Sequence, residues 1–269
     1  MRKSNFGSRD GLMPPKPAER LRLQGVTLCA VSSSNLEATV AALRTSMSYI
    51  DFAEAILFTH VNPMGAELGL DGIRIEPIGR LASSRAYSRF ILECLADYIS
   101  TDHCLIAQWD GHVIDPTFWR SEFLCYDYIG ASWPQFGDGR DVGNGGFSLR
   151  SKRLMEACRE SDFEMHHPED LAICRTNREL LENRGMRFAP RNLANAFSAE
   201  RDSDPSRSFG YHGAFLMPRV LGSNRFWALY EGLDNRRSVW VDFWRIALGV
   251  RRLDRITRMF RDRRKDCLP

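Results

Sequence analysis

No CxxC pair occurs among the seven cysteines, which are odd in number and scattered along the chain (Cys29, Cys94, Cys104, Cys125, Cys158, Cys174, Cys267). That spacing excludes the common zinc frameworks and a paired disulfide scaffold. Because most of the seven sit in apolar segments, they read as reduced core thiols of a cytoplasmic protein. No apolar run approaches the roughly 20 residues that span a bilayer. Residues 1–24 lack the apolar core of a secretory signal and read as a flexible tail. The first apolar run is followed by serines rather than glycines, so no dinucleotide fingerprint is present either.

What remains is a core-forming composition. With 43% hydrophobic and 11% aromatic residues over 269 positions, the chain can bury one large domain. We place that domain at residues 25–220 and a helical extension at 221–269. The net charge of +3 hides an asymmetry: from Arg245 onward nine basic residues face three acidic ones, a local balance of +6 that leaves −3 for everything before.

Apolar runs and helical periods alternate. Residues 26–31 (VTLCAV) lead into Ser32, Ser33, Ser34 and Asn35, and a helical pattern follows through Leu36, Val40, Leu43, Met47 and Ile50. Residues 55–59 (AILFT) and 73–78 (IRIEPI) read as strands, separated by a loop at residues 62–65, and residues 83–99 read as a helix. The order βαββαβ predicts a mostly parallel sheet flanked by helices.

That helix delivers the chain into residues 103–111, HCLIAQWDG, where a buried strand runs into Gln108, Trp109 and Asp110. In open α/β sheets the carboxyl ends of the strands form the ligand crevice, and an acid followed by glycine there is placed to hold a metal ion and a phosphate. Asp-Gly by itself equally describes a turn cap. Further on, Gly143, Gly145 and Gly146 precede alternating Phe147 and Leu149, which suggests backbone passing close to a ligand, or else a hairpin at Asn144-Gly145. Pro168 followed by Glu169 and Asp170 marks a helix start, where such acids commonly serve only the helix dipole. Adjacent His166 and His167 beside this pair invite a metal-hydrolase reading, but neighbours on a helix cannot both face one ion.

Together QWDG, YDYIGA, GNGGFSLR, the ED pair and FGYHG at residues 209–213 resemble a family of glycosyltransferase-like domains of bacteria and eukaryotes, and more broadly the GT-A fold glycosyltransferases. The likeness covers residues 26–213. It implies a GT-A-like (Rossmann-like) sheet and transfer of a sugar from a nucleotide-diphosphate donor to a glycan or lipid-linked acceptor, as in bacterial polysaccharide assembly. It also implies Mn²⁺ or Mg²⁺ on Asp110 and His212, with Asp170 or Glu169 as the base that activates the acceptor. The donor would lie against Ser32, Ser33, Arg85, Tyr87, Gln108, Trp109, Asp110, Gly145 and Gly146. One departure stands out: the superfamily's Asp-x-Asp has Gln108 at its first position here, so the site carries one negative charge fewer. A catalytically inactive sugar-nucleotide or glycan-binding module is the alternative reading, and a metal-dependent hydrolase is a third.

Past residue 226 the chain is aromatic and helical in tendency. Val250, Leu253, Ile256 and Phe260 then recur at helical spacing opposite a row of arginines. Such a basic amphipathic helix packs on its own domain or lies peripherally on anionic lipid at the inner face of a membrane. No aromatic-basic platform points to nucleic acid.

Overall fold

The computed structural model describes residues 11–61 and 69–267. The first ten residues of the expected tail and the loop expected at residues 62–65 lie outside them. Six strands build one sheet: β1 (Leu21–Val31), β2 (Ile50–Thr59), β3 (Arg74–Pro77), β4 (His103–Ala107), β6 (Tyr128–Ser132) and β7 (Val142–Ser151), in the order β3-β2-β1-β4-β7-β6. The pairings from β3 to β4 are parallel, and β7 runs antiparallel to both β4 and β6. The sheet is therefore mostly parallel with one reversed strand. A small second sheet joins β5 (Gly111–Val113), β9 (Gly210–His212) and β8 (Ser198–Ala199).

Alternation along β1 shows why both faces of the large sheet must be covered. Leu28 and Ala30 enter one cluster with Val40 and Leu43 of α1 (Leu36–Tyr49) and with Phe147, Phe197 and Phe209. Cys29 and Val31 enter the opposite cluster with Phe90 and Ile91 of α2 (Ser84–Glu93). Each side chain pointing out of the pleat thus meets a helix rather than water. The cysteines are free, and Cys29, Cys104, Cys158 and Cys174 are buried as core thiols.

Several boundaries differ from the sequence reading. Strand β1 starts at Leu21, within the segment read as tail, because Leu21–Leu23 pairs with Ile50–Phe52 before a register shift. The polar Arg22 and Gln24 hide that outer half of the strand. Residues just before it are also held: the Leu12 amide donates to the Val220 carbonyl, and the Tyr49 hydroxyl to the Pro14 carbonyl. Ile50 opens β2 rather than closing α1, since the helix passes into the strand without a loop. The glycines at 143, 145 and 146 lie inside β7, so Asn144-Gly145 is not a hairpin turn.

Past β7 come α3 (Lys152–Ala157), a short α4 (Glu169–Leu171) continued by a wider turn, α5 (Arg178–Asn183) and α6 (Arg191–Phe197). The C-terminal part is α7 (Met217–Leu221), α8 (Ser223–Glu231), α9 (Arg237–Val241), α10 (Phe243–Val250) and α11 (Leu253–Cys267). These helices are not an appendage. Phe226, Tyr230, Val239, Phe243 and Met259 share one buried cluster with Ala38, Ile114 and Tyr211, so the boundary expected at residue 220 crosses continuous core.

Candidate active site

Strands β1 and β4 are neighbours, so the turns that follow them open side by side. Between them lies a cavity of about 440 Å³ lined by Ser32, Ser33, Ser34, Thr39, Tyr87, Gln108 and Trp109, by the segment from Arg80 to Ser84, and by Asn235 and Arg237. Five of the residues expected to hold the donor meet here: Ser32, Ser33, Tyr87, Gln108 and Trp109. The Gln108 side-chain amide donates to the Tyr87 hydroxyl at 3.2 Å, and the Leu81 amide to the Ser33 hydroxyl at 3.0 Å. Burial raises the Tyr87 phenol above its ordinary range, so it stays neutral and available as a donor.

Arg85 is a correction. It is exposed and lines a separate cleft with Ser88, Arg89, His166 and His167. The reason is helical phase: Ser83, Ser84 and Tyr87 turn toward the cavity, while Arg85 shares its face of α2 with Ser88 and Arg89.

Sequence reasoning missed the far wall. Asn35, in a left-handed conformation before α1, donates its backbone amide to Asp234 Oδ1 at 2.5 Å and its side-chain amide to the Asn235 carbonyl at 2.8 Å. The Asn235 amide returns a bond to Asn35 Oδ1 at 2.9 Å. These bonds draw Asn235 and Arg237 over the cavity. Among the described residues neither Arg80 nor Arg237 has a hydrogen-bond or ion-pair partner for its guanidinium. Only the unusual Asn before a helix start, at a place that tolerates αL geometry, hinted at this.

Asp110 lies beyond Trp109 and is buried, and its Oδ1 has no hydrogen-bond partner among the described residues. The small sheet pairs Gly111 with His212, and the Gly213 amide donates to the Asp110 carbonyl at 2.9 Å. His212 Nε2 consequently stands 3.6 Å from Asp110 Oδ1, and His212 Nδ1 stands 3.6 Å from Glu200 Oε1, ion-pair separations too long for good hydrogen bonds. Burial pushes the Asp110 carboxyl up, with His212 opposing. Burial alone would lower the imidazole, but Asp110 and then Glu200 raise it, to about 9. Among the described residues no three His, Cys, Asp or Glu side chains are grouped to hold a metal ion. Asp110 and His212 are brought together as a carboxylate–imidazole pair, and they form no metal-binding group by themselves.

Gly145 and Gly146 of β7 are close-approach positions, not positive-φ ones. A Cβ on Gly146 would run into the His212 imidazole, and one on Gly145 would stand 2.7 Å from Arg150 Nη2 and 2.8 Å from Glu169 Oε1. Gly146 also accepts the Gln108 amide through its carbonyl at 3.0 Å, which ties this strand to the turn after β4.

The acidic pair separates into two roles. Glu169 is buried, with Oε1 accepting from Arg150 Nη2 at 3.2 Å and Oε2 from the Ser88 hydroxyl at 2.8 Å. Neither oxygen is open to an acceptor hydroxyl, so the expectation of Glu169 as base meets a structural ion pair instead. Among the described residues Asp170 Oδ2 accepts only the Gly145 amide, at 3.2 Å, and Oδ1 its neighbour Leu171's amide at 2.8 Å. Burial, then the nearby Glu169 charge, raises the Asp170 carboxyl to about 6, with Arg150 opposing. Arg150, fully buried, was also missed. Its signal is the alternation of β7, which puts Gly146, Ser148 and Arg150 on the face opposite Phe147 and Leu149. His167 bonds the Ser84 and Ser88 hydroxyls and His166 bonds Thr176, so neither histidine adds to a metal group.

Fold and site together define an α/β protein with a ligand crevice at the carboxyl ends of its strands. Residues 73–212, just over half of the chain, match the family described as "Protein of unknown function (DUF5672)", and the chain belongs to that family. No curated protein matches it in sequence. Among solved structures it is similar to an active-site mutant of LgtC, with 13% identity and a TM-score of 0.42 over 80% of this chain and 98% of that one. It is also similar to the glycosyltransferase GlyE of Streptococcus pneumoniae TIGR4, with 11% identity and a TM-score of 0.37 over 62% of this chain and 45% of that one. Likeness at this level carries nothing about activity or individual residues.

Proposed function

We propose that the chain is a glycosyltransferase that takes a nucleotide-diphosphate sugar in the cavity between β1 and β4 and passes the sugar to a hydroxyl of a glycan or lipid-linked acceptor. One observation carries the reading: the cavity gathers hydroxyls and amides suited to a nucleoside, from Ser32, Ser33, Tyr87 and Gln108, together with two arginines that have no anionic partner among the described residues. A diphosphate supplies that missing charge. Trp109 offers an aromatic face beside them.

The leaving diphosphate gains negative charge as the bond to the sugar breaks, and stabilising it is the main task of such a site. Arg80 and Arg237 do this from the cavity side. Mn²⁺ or Mg²⁺ held by Asp110 and His212 would supply Lewis-acid stabilisation of the same charge, with donor oxygens completing its coordination. Gln108, in place of a carboxylate, bonds Tyr87 and leaves the arginines more of the charge balance. Asp170, with a carboxyl raised toward neutrality and few hydrogen bonds, takes the proton of the attacking hydroxyl. Arg150 and Glu169 act through it, fixing the turn that carries Asp170 against Gly145.

The test is thermal stabilisation and turnover across UDP-, GDP-, CMP- and dTDP-sugars, with and without Mn²⁺. A transferase responds to one nucleotide class and consumes the donor when an acceptor is present. Gln108 in the metal motif also favours a donor-binding module without activity, and stabilisation without turnover would select it. No response to any nucleotide sugar overturns both readings.

A further inference from the structure

Helix α10 (FWRIALGV) has one polar residue, Arg245. Phe243, Ile246 and Val250 are buried in the C-terminal cluster and Ala247 is buried beside them, which accounts for one side of it. The other side is apolar as well. Trp244 is 64% and Leu248 77% exposed, four residues apart and so on one face. Val241, just before the helix, is 78% exposed, and Leu253, just after it, 83%. From α11 the Phe260 ring lies 5.5 Å from that of Trp244 and 4.7 Å from that of Phe243, so both helices contribute to one patch. Five of the eight large hydrophobics exposed among the described residues thus fall between positions 241 and 260, a concentration that scattered surface residues do not show.

The sequence reading grouped Val250 with Leu253, Ile256 and Phe260 on one apolar stripe, and the structure buries Val250 while leaving Leu253 and Phe260 exposed. The exposed surface is centred on Trp244 and Leu248, in the segment that the sequence showed only as aromatic and helical in tendency.

The unpaired charge around this patch has one sign among the described residues. Arg251, Arg261 and Arg264 are exposed and have no ion-pair partner among the described residues. The nearby acids already face cations: Asp242 faces Arg201, Asp254 faces Arg252, Asp262 faces Arg258 and Asp266 faces Arg236. We infer that the Trp244–Leu248 face, with its arginine border, docks on the surface of an anionic lipid bilayer. Tryptophan and leucine enter the boundary between headgroups and acyl chains while the arginines meet lipid phosphates. A second copy of the chain is disfavoured as occupant, because it would bring two arginine-rich segments together with no free acid between them. The inference stands independently of the donor reading, since no residue of the patch lines the donor cavity.

The experiment is co-sedimentation of the full chain with phosphatidylcholine vesicles and with vesicles that also contain phosphatidylglycerol, at low and high salt. Binding is expected to the anionic vesicles, weakened by salt. Trp244→Ser with Leu248→Ser should reduce partitioning about tenfold or more per side chain. Arg251→Gln, Arg261→Gln and Arg264→Gln should each reduce it about fivefold. The arginine variants touch no packed side chain, so they decide the matter even if the serine variant folds poorly, and melting temperatures monitor both. Absence of binding to anionic vesicles, binding indifferent to both sets of variants, or a dimer in sedimentation equilibrium that the serine variant dissolves would each overturn the inference.

Discussion

Asp110 and His212 stand 3.6 Å apart although about 100 residues separate them in the chain, because the pairing of Gly111 with His212 folds one end of that stretch onto the other. The carboxylate oxygen that faces the imidazole has no hydrogen bond among the described residues. Replacing it by an amide removes the charge that the site presents to a cation. Asp110→Asn should therefore lower donor turnover by about 100-fold, the scale of losing one preorganised electrostatic contact, while the protein still melts cooperatively. Initial rates that match the native protein would make Asp110 a turn residue.

Asp170→Asn should leave donor affinity as it is and lower kcat by roughly 10² to 10⁴, the usual worth of a general base. The native rate should rise with pH through about 6 as the carboxyl ionises, and that limb should vanish in the variant. Stability carries the opposite sign. A carboxyl raised by folding favours the native state below its unfolded value and loses that contribution as pH climbs through about 6, so the amide variant should flatten the melting curve's pH dependence between about 4 and 6. A steep native limb that survives in Asp170→Asn assigns the base elsewhere.

Glu169→Gln should behave differently. It leaves the fully buried Arg150 without its counter-charge, and breaking a buried ion pair costs about 3–5 kcal/mol, so the melting temperature should fall by many degrees. Unchanged melting in this variant would contradict the structural role assigned to Glu169.

Gly146→Ala should abolish turnover at a modest cost of about 1–3 kcal/mol in stability, since the new methyl displaces the His212 imidazole rather than backbone. Retention of both activity and His212's native titration, followed by NMR, would show that the strand has room to yield.

Arg237→Ala should weaken nucleotide-sugar binding by about tenfold or more, as expected for one charge-assisted contact, with little change in melting temperature because the side chain is exposed and unpaired among the described residues. Donor affinity indifferent to this change would remove the C-terminal segment from the site.

Much of the fold was legible in the sequence because it rests on local signals. Apolar runs of strand length, helical periods between them and a strand ending at Gln108-Trp109-Asp110 report directly on which side chains must leave water, and a mostly parallel sheet follows from their alternation. The same local reading located the turns after β1 and β4, and hence most of the cavity floor. Tertiary structure decided what depends on contacts between distant segments. Local spacing carries no record of Asn35 holding residues 234 and 235, and so none of Arg237 at the cavity. Nor does it distinguish Glu169 from Asp170: adjacent acids at a helix start look alike until Arg150, on another strand, claims one of them. Exposure of Trp244 was hidden for the same physical reason, since periodicity reports that a face is apolar but only packing determines whether another element is there to cover it.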